Sequence, residues 1–326
     1  MGKKAKFCCA IYMGKYGINV YSNDPGTFDI LRTGAFVPFI PGYRCLKRRA
    51  RSDYSIVYIR DTVCSAQVTG AKKLEIRAPL TDVVRASTIP FRAHFMLEPQ
   101  LQKDSIFTSQ GGGVSKNGRA VLLMGKRGAG KTSVTLELCR KYHWRLVGND
   151  LILVGFRENA GYLFGGAKAF TLRFTTVKYY NADLQKLFPK NHPNEWTNKI
   201  TLLAEGLGIS AERGHPKLTN VFYLHLLNDK AAPLYLRRIG SKKTAHMGRL
   251  YLYEELSSYI RGVSAPVVYG PQFSLGDYLP SLDKPEYHQN RVKLIDWIMD
   301  DVGFYFISGS MRAICEHVNA ALGHPK

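Results

Sequence analysis

The sequence lacks the features of a membrane-spanning or secreted chain. No stretch reaches 18 uninterrupted apolar residues, so we expect no membrane span. The lysine-rich start leads into an apolar stretch, but Lys15 interrupts it and no small-residue cleavage site follows, which argues against a signal peptide. A cytoplasmic location is therefore the default expectation.

Cysteine is scarce, and its spacing excludes the common zinc frameworks. The six cysteines stand at positions 8, 9, 45, 64, 139 and 315, with no C-x-x-C pair, and the nine histidines show no metal-ligand spacing near them. We expect free, buried thiols in a reducing compartment rather than a structural zinc site.

Acidic residues are also in short supply. The 326 residues include 46 Lys and Arg against 25 Asp and Glu, which gives a formal net charge of +21. Such a field attracts nucleotides, nucleic acid, acidic peptides or an anionic membrane surface, although general solubility is a competing explanation. With 45% hydrophobic residues and no internal repeat, the chain can bury the core of two domains or one large one.

One stretch carries the strongest functional signal, because it matches the P-loop (Walker A) pattern G-x-x-x-x-G-K-[ST]. An apolar run of strand length precedes it at 120–124, and a helical pattern follows at 133–142, which is the context that the motif requires. Its glycines let backbone N–H groups turn toward an anion, and the helix start adds free N–H groups. The expected nucleotide-binding residues are Gly125, Lys126, Arg127, Gly128, Ala129, Gly130, Lys131, Thr132 and Ser133.

The motif also predicts the ligands. Lys131 would reach the β- and γ-phosphates, and the Thr132 hydroxyl would bind Mg²⁺. Asp150 is the favoured second anchor for the metal, because it lies in a strand-like run one helix and one strand after Lys131. We therefore expect ATP and Mg²⁺, although no base-reading motif excludes GTP.

Two other carboxylates compete with Asp150. The run 221–227 precedes Asn228-Asp229 and resembles a Walker B strand, so Asp229 is the rival. Asp296 also follows apolar residues, but these recur at helical spacing, and we expect its carboxylate to face solvent.

Phosphoryl transfer also needs a cation that neutralises charge in the transition state. Lys168 and Arg173 follow the Asp150 strand, and Arg237 and Arg238 belong to a later basic cluster. Each could contact phosphate or an acceptor, and general surface charge is an equal alternative.

The order of patterns predicts two domains. Residues 1–104 are typical of a small β-rich domain, with a hairpin over 7–22 and no catalytic signature. Residues 105–326 contain the P-loop, whose strand follows an Asn117-Gly118 hairpin turn.

The stretch Gly118–Val154 resembles the catalytic domain of HPr kinase/phosphorylase and its relatives. The shared features are a Gly-Arg-Ala-Val-Leu-Leu strand, the P-loop, a Leu-Glu-Leu helix and the run 145–150. The resemblance implies an α/β fold with α+β character: a phosphoenolpyruvate-carboxykinase-like P-loop kinase domain with a smaller β-rich N-terminal domain, whose opening resembles 16–22. Related kinases assemble, so a homo-oligomer is also open.

The sequence departs from that family at two positions. Asn149 replaces the first Asp of the family pair, which is associated with the general base, and an amide cannot accept a proton at neutral pH. Asp150 would then act as the general base, or the reaction would rely on positioning and charge neutralisation. Gln110 stands where the family has a His, so the family's protein substrate does not carry over.

Together these observations predict a kinase that transfers the γ-phosphoryl group of ATP to a hydroxyl of an anionic acceptor. The acceptor would be a peptide, an RNA or nucleoside, or a metabolite. Lys131, Asp150 and Asn149 are the expected catalytic residues, and Thr132 and Asp150 the metal ligands. The alternative is a nucleotide-dependent switch, or an RNA-binding NTPase, that transfers no phosphate to an acceptor; Asn149 and Gln110 favour the switch.

Overall fold

The computed structural model describes residues 4–63, 65–80, 88–240, 245–263 and 279–323. These form a mixed α/β structure with sheets of six, seven and two strands, as the predicted class requires. The chain divides into two compact units, one of Met1–Thr108 with Tyr253–Lys293 and one of Ser109–Leu252 with Leu294–Lys326. The predicted domains, 1–104 and 105–326, differ from these units in the segment Tyr253–Lys293, and the domain assignment stays a prediction.

The first unit is built on the six-stranded sheet, whose strand order is β3-β1-β2-β4-β6-β5. The predicted N-terminal hairpin is confirmed by the antiparallel pairing of β1 with β2. The strands are β1 (Lys6–Met13), β2 (Tyr16–Ser22), β3 (Tyr43–Leu46), β4 (Ser55–Arg60), β5 (Ser65–Thr69) and β6 (Lys73–Ala78). The helices are α1 (Thr27–Thr33) and α2 (Thr88–Lys103), with short 3-10 turns at Val37–Phe39 and Gly70–Lys72.

A buried arginine holds the returning segment in the first unit. Arg291 is fully buried, and its guanidinium pairs with both carboxylate oxygens of Asp283 at 2.9 and 3.1 Å. The same group donates to Gln102 Oε1 of α2 at 2.7 Å. A buried charge is tolerated only when it is paired and hydrogen-bonded, so these contacts fix the segment on α2.

The second unit is built on the seven-stranded sheet, in the order β10-β9-β7-β8-β13-β15-β14. Strand β8 runs parallel to β13, and β13 parallel to β15, whereas β7 pairs with β8 in the antiparallel sense. These strands are β7 (Ile106–Lys116), β8 (Arg119–Met124), β9 (Arg145–Arg157), β10 (Ala160–Gly166), β13 (Lys217–Leu226), β14 (Tyr235–Arg238) and β15 (Phe304–Gly309). The two-stranded sheet pairs β11 (Ala169–Arg173) with β12 (Lys199–Leu203).

Helices and turns complete the second unit. They are α3 (Lys131–Lys141), α4 (Phe174–Tyr180) and α7 (Met311–Gly323), with 3-10 turns at Ala182–Leu187 and Glu205–Leu207 and a π-helical turn at Ile298–Val302. Helices α5 (Ala245–Ser257) and α6 (Pro285–Trp297) are each divided between the two units. Among helices in the described part of the chain, none combines the length and apolar character that a membrane crossing requires.

One core cluster surrounds the helix that follows the P-loop. Val134, Leu136 and Leu138 of α3 are buried against strand residues such as Leu123 and Phe222. Each buried side chain of this size stabilises the fold by about 1.5–3 kcal/mol, so this packing fixes α3 relative to β8. All five cysteines in the described ranges are free thiols, and Cys64 lies outside those ranges.

Candidate functional site

The P-loop connects the end of β8 with the start of α3. Gly125, Gly128 and Gly130 adopt positive φ angles of 143°, 86° and 93°, which residues with a side chain rarely accept. A Cβ atom at Gly130 would overlap the Leu226 side chain, and one at Gly125 would lie 2.8 Å from the Leu224 carbonyl oxygen. Gly125 and Gly130 are therefore required by both conformation and space, and Gly128 by conformation alone.

Strand β13 supports the loop from its other side. The Leu226 N–H donates to the Ala129 carbonyl oxygen at 2.9 Å, which ties the loop to the end of this strand. Gly130 caps α3 without a side-chain hydrogen bond, so the N–H groups of the first helical turn can meet an anion. Thr132 and Ser133 lie in that turn, half-buried and buried, respectively.

The Lys131 ammonium lies over the loop itself. It donates to the carbonyl oxygens of Gly125 at 2.7 Å and Lys126 at 3.1 Å. Lys126 and Arg127 have exposed side chains, so the loop places further positive charge next to this ammonium. The arrangement suits a polyanion that approaches α3 along its axis.

Asp150 lies within the electrostatic reach of Lys131. The surrounding protein raises the pKa of the Asp150 carboxyl by desolvation, and the Lys131 charge opposes that shift, although the residue as a whole is exposed. Its backbone has a φ angle of 69°, in the left-handed region that Asp tolerates better than most residues. The break in the middle of β9 thus presents a carboxylate near the P-loop lysine.

Asn149, the residue before Asp150, has a different environment. Its side chain is fully buried, and its amide donates to the Ala169 carbonyl oxygen at 3.0 Å, while its backbone N–H donates to Ala167. Asn149 Oδ1 has no hydrogen-bond partner among the residues that the structure describes. Asn149 therefore joins β9 to β11, and an acid here could not donate that hydrogen bond at neutral pH.

Two glycines bring the backbone of β9 next to Asn149 close to the backbone at the end of β10. The Cα atoms of Gly148 and Gly166 lie so near that a Cβ atom at Gly166 would meet Gly148 Cα at 2.7 Å. Gly166 cannot yield without moving its strand, because it pairs with Ile152 of β9 at the end of the β9–β10 ladder. The contact brings the chain after β10 against Asn149.

The two rival carboxylates have other partners. Asp229 follows the end of β13 and accepts a hydrogen bond from the Ala231 N–H at 2.8 Å, which is an ordinary turn contact. Asp296 pairs with Arg249 at 3.2 Å, with both side chains substantially exposed. Both contacts are typical of turns and surfaces, so Asp150 stays the predicted metal anchor.

The four candidate cations do not gather at one place. The Lys168 ammonium donates to the carbonyl oxygens of Leu146 at 3.2 Å and of Val147, and desolvation lowers its pKa to about 8, against the opposing charges of Glu212 and Cys139. The other three cations are exposed: Arg173 ends β11, and Arg237 and Arg238 lie on the edge strand β14.

Sequence patterns missed one element that positions the P-loop helix, the glycine triplet of β7. A Cβ atom at Gly112 would overlap Thr135 Oγ1 of α3, and one at Gly111 would lie 2.7 Å from the Leu123 carbonyl oxygen. A Cβ atom at Gly113 would make tight contacts, at 3.1 Å from Leu163 Cδ1 and 3.3 Å from Val147 Cβ. Three consecutive glycines within a strand pattern were the available signal, because such residues mark a close backbone approach.

Comparison with known proteins adds little. No family model matches the sequence, and no curated protein is similar to it. A solved structure of the HPr(Ser) kinase/phosphatase from Coxiella burnetii is similar over 40% of this chain and 72% of that chain, at 15% identity and a TM-score of 0.22. A TM-score of this size does not establish a common fold, so the proposals below rest on the residues of this chain.

The side chains near the P-loop can be compared with the ligands that Mg²⁺ usually has in proteins. Within the described ranges, no three His, Cys, Asp or Glu side chains are grouped to hold a metal ion. Protein sites for Mg²⁺ usually supply one or two carboxylates and leave the remaining positions to water and substrate phosphates. Thr132 and Asp150, beside a loop that suits phosphates, fit that type of site.

Proposed function

We propose that the protein is an ATP- and Mg²⁺-dependent kinase that transfers the γ-phosphoryl group to a hydroxyl acceptor. The observation that carries this proposal is the position of Asp150 within the electrostatic reach of Lys131, at the start of α3: desolvation raises the pKa of the Asp150 carboxyl, and the lysine charge opposes that rise. A cation for the phosphates and a carboxylate for metal and proton are the minimum set for phosphoryl transfer.

The nucleotide phosphates would lie on the P-loop. Backbone N–H groups of 125–133 and the start of α3 would bind their oxygens, and the Lys131 ammonium would exchange its loop carbonyls for phosphate oxygens. Thr132 and Asp150 would hold Mg²⁺, which neutralises phosphate charge when it is bound.

Asp150 is the proposed general base. Desolvation raises its pKa, which makes its carboxylate a better proton acceptor for a hydroxyl group than an ordinary Asp. Asn149 contributes by position only, since its amide is bonded to the Ala169 carbonyl oxygen. Arg173 is the candidate for the transferring phosphate among the cations that are exposed, whereas Lys168 is engaged with β9 carbonyl oxygens.

The acceptor is proposed to be anionic. The net charge of +21 favours approach of acidic peptides, RNA or phosphorylated metabolites over cationic ones. A second candidate function is a nucleotide-dependent switch that transfers nothing. The observation in its favour is Asn149, which puts a buried amide where the resembled family has a carboxylate.

The decisive test is transfer from γ-labelled ATP with Mg²⁺ to separate pools of RNA, nucleosides and peptides. Wild type is compared with Lys131→Ala and Asp150→Asn, and Lys190→Ala serves as a control that removes the same charge from an exposed position. Asp229→Asn tests the rival carboxylate. We expect label in one pool, lost with Lys131→Ala and Asp150→Asn only.

Other outcomes separate the alternatives. Release of free phosphate without a labelled acceptor favours the switch. Loss of transfer in Asp229→Asn with retention in Asp150→Asn would transfer the metal and base roles to Asp229. Equal activity in Lys131→Ala and wild type contradicts nucleotide binding at the P-loop.

A further inference from the structure

Two adjacent tyrosines end helix α4 in the P-loop unit. The Tyr179 ring is 40% exposed, and Tyr180 is half-buried against the core cluster. Their ring centres lie 4.6 Å apart, with planes inclined by 77°. Tyr179 thus has a supported ring with part of its surface open to a ligand.

Both hydroxyls bind the segment that follows β13. Tyr180 donates to the Leu227 carbonyl oxygen at 3.3 Å and to Asn228 Oδ1 at 3.0 Å, and Tyr179 donates to the Asn228 carbonyl oxygen. This segment begins directly after Leu226, whose N–H is bonded to Ala129 of the P-loop.

The tyrosines are therefore close to the P-loop. Leu226 and Asn228 are two residues apart, which is at most about 7 Å even in an extended chain. Hydrogen bonds at both ends of this connection hold Tyr179 and Tyr180 near Ala129.

The tyrosines also lie on the opposite side of β8 from Asp150. Strand β8 has β7 and then β9, with Asp150, on one side, and β13 on the other. A γ-phosphate directed toward Asp150 leaves the nucleoside on the β13 side, where Tyr179 lies. This step rests on the kinase proposal, because that proposal places the γ-phosphate.

We propose that Tyr179 is the platform on which the nucleotide base stacks, with Lys230 beside it. The Lys230 ammonium lies over the Tyr179 ring, 5.2 Å from its centre, which places a cation at one face of this aromatic surface. Proteins that bind bases without reading their edges combine these two elements. Because every base has a π-face, stacking here would support ATP and GTP alike.

The test compares affinities for Mg²⁺-ATP, Mg²⁺-GTP and inorganic tripolyphosphate by calorimetry. Tyr179→Ala removes the ring, Tyr179→Phe keeps the ring without the hydroxyl, and Tyr162→Ala is the control. Tyr162 pairs with Lys217, which lies opposite Arg119 at the start of β8, the end away from the P-loop.

We expect Tyr179→Ala to weaken both nucleotides by about 5- to 150-fold and to leave tripolyphosphate unchanged, as loss of base stacking predicts. Tyr179→Phe should bind within about twofold of wild type, since the ring remains. Unchanged nucleotide affinity in Tyr179→Ala overturns the inference, and so does an equal loss for tripolyphosphate, which would indicate a distorted P-loop. A wild type that binds neither nucleotide nor tripolyphosphate contradicts the kinase proposal itself.

Discussion

Asp150 differs from an ordinary surface aspartate in its backbone conformation and in the environment of its carboxyl group. Its φ angle is 69°, and desolvation raises its pKa even though the nearby Lys131 charge lowers it. Such local costs concentrate at sites where function depends on a fixed geometry. The residue is thus a candidate for a trade between stability and activity.

Replacing Asp150 with Asn should therefore stabilise the protein while it abolishes phosphoryl transfer. Asn tolerates the left-handed conformation and carries no charge to desolvate. A raised carboxyl pKa means that the folded state binds protons more readily than the unfolded state, so the ionised group reduces stability at neutral pH. We expect the melting temperature of Asp150→Asn to exceed that of wild type by about 1–2 °C at pH 7. This difference should disappear as the pH falls below 3.8, the ordinary pKa, because the Asp150 carboxyl of wild type is then protonated in both the folded and the unfolded state.

Thermal unfolding of wild type and Asp150→Asn across this pH range checks the sign. A variant that melts below wild type at pH 7 would show that the carboxylate stabilises the fold, contrary to this account.

Lys168 makes a second prediction, because its pKa is lowered to about 8 by desolvation. The charged form is disfavoured in the folded state, so its cost is present below pH 8 and disappears as pH rises toward the ordinary value of 10.5. Lys168→Met removes this charge. The free energy of unfolding of wild type should gain about 2 kcal/mol relative to Lys168→Met between pH 7 and pH 10.

Urea denaturation at several pH values measures that difference. Lys190→Met is the control, since it removes the same charge from an exposed position. A constant gap between wild type and Lys168→Met would exclude a titrating lysine at this position.

At the scale of elements, β7 positions the P-loop helix through its lack of side chains. Gly112 lies against Thr135 of α3, and an added methyl group would overlap Thr135 Oγ1. We expect Gly112→Ala to destabilise the protein by about 1–3 kcal/mol, as overpacking does in well-packed cores. Thr135→Ala added to this variant should recover part of the loss, because it removes the overlapping oxygen.

Gly206→Ala is the matched control, since a Cβ atom there meets no atom within 4 Å. Chemical denaturation of wild type and these three variants gives the comparison. An equal effect of Gly112→Ala and Gly206→Ala would show that α3 does not depend on this contact.

Local patterns predicted the elements around the P-loop. The strand 120–124, the glycine loop and the following helix correspond to β8, the loop and α3. The Asn117-Gly118 turn is also confirmed, with φ angles of 53° and 74° between paired strands. These features succeed because neighbouring residues alone determine them.

Helix α2 was missed for a physical reason. Its residues 92–99 are buried on every side, so this stretch has no solvent-exposed polar face, and Pro99 lies inside the helix. Glu98 is satisfied by Thr108, whose N–H and hydroxyl donate to it at 3.1 and 2.7 Å. Tertiary hydrogen bonds of this kind leave no periodic signal in the sequence.

At the scale of the whole molecule, long-range contacts limited the sequence-based account. The return of Tyr253–Lys293 to the first unit depends on the hydrogen bond from Arg291 to Gln102, which is 189 positions away along the chain. Tyr179 and Asn228, which are also in contact, are 49 positions apart. Neither could be inferred before the strands were ordered.

The net charge of +21 makes a prediction for the molecule as a whole. If the acceptor is anionic, kcat/KM for an acidic peptide should fall as salt rises from 50 to 500 mM, because screening weakens long-range attraction. A matched peptide with lysines in place of the acidic residues should show lower kcat/KM and the opposite trend. Equal kcat/KM values for the two peptides would contradict the anionic acceptor.

The central claim is that the P-loop binds the phosphates of a nucleotide. It is tested most directly by titrating Mg²⁺-ATP into wild type, Lys131→Ala and Lys190→Ala, since both variants lose one positive charge. We predict that Lys131→Ala lowers affinity at least about 10-fold, the equivalent of 1.4 kcal/mol, while Lys190→Ala binds like wild type. Equal affinity in all three proteins would contradict the account.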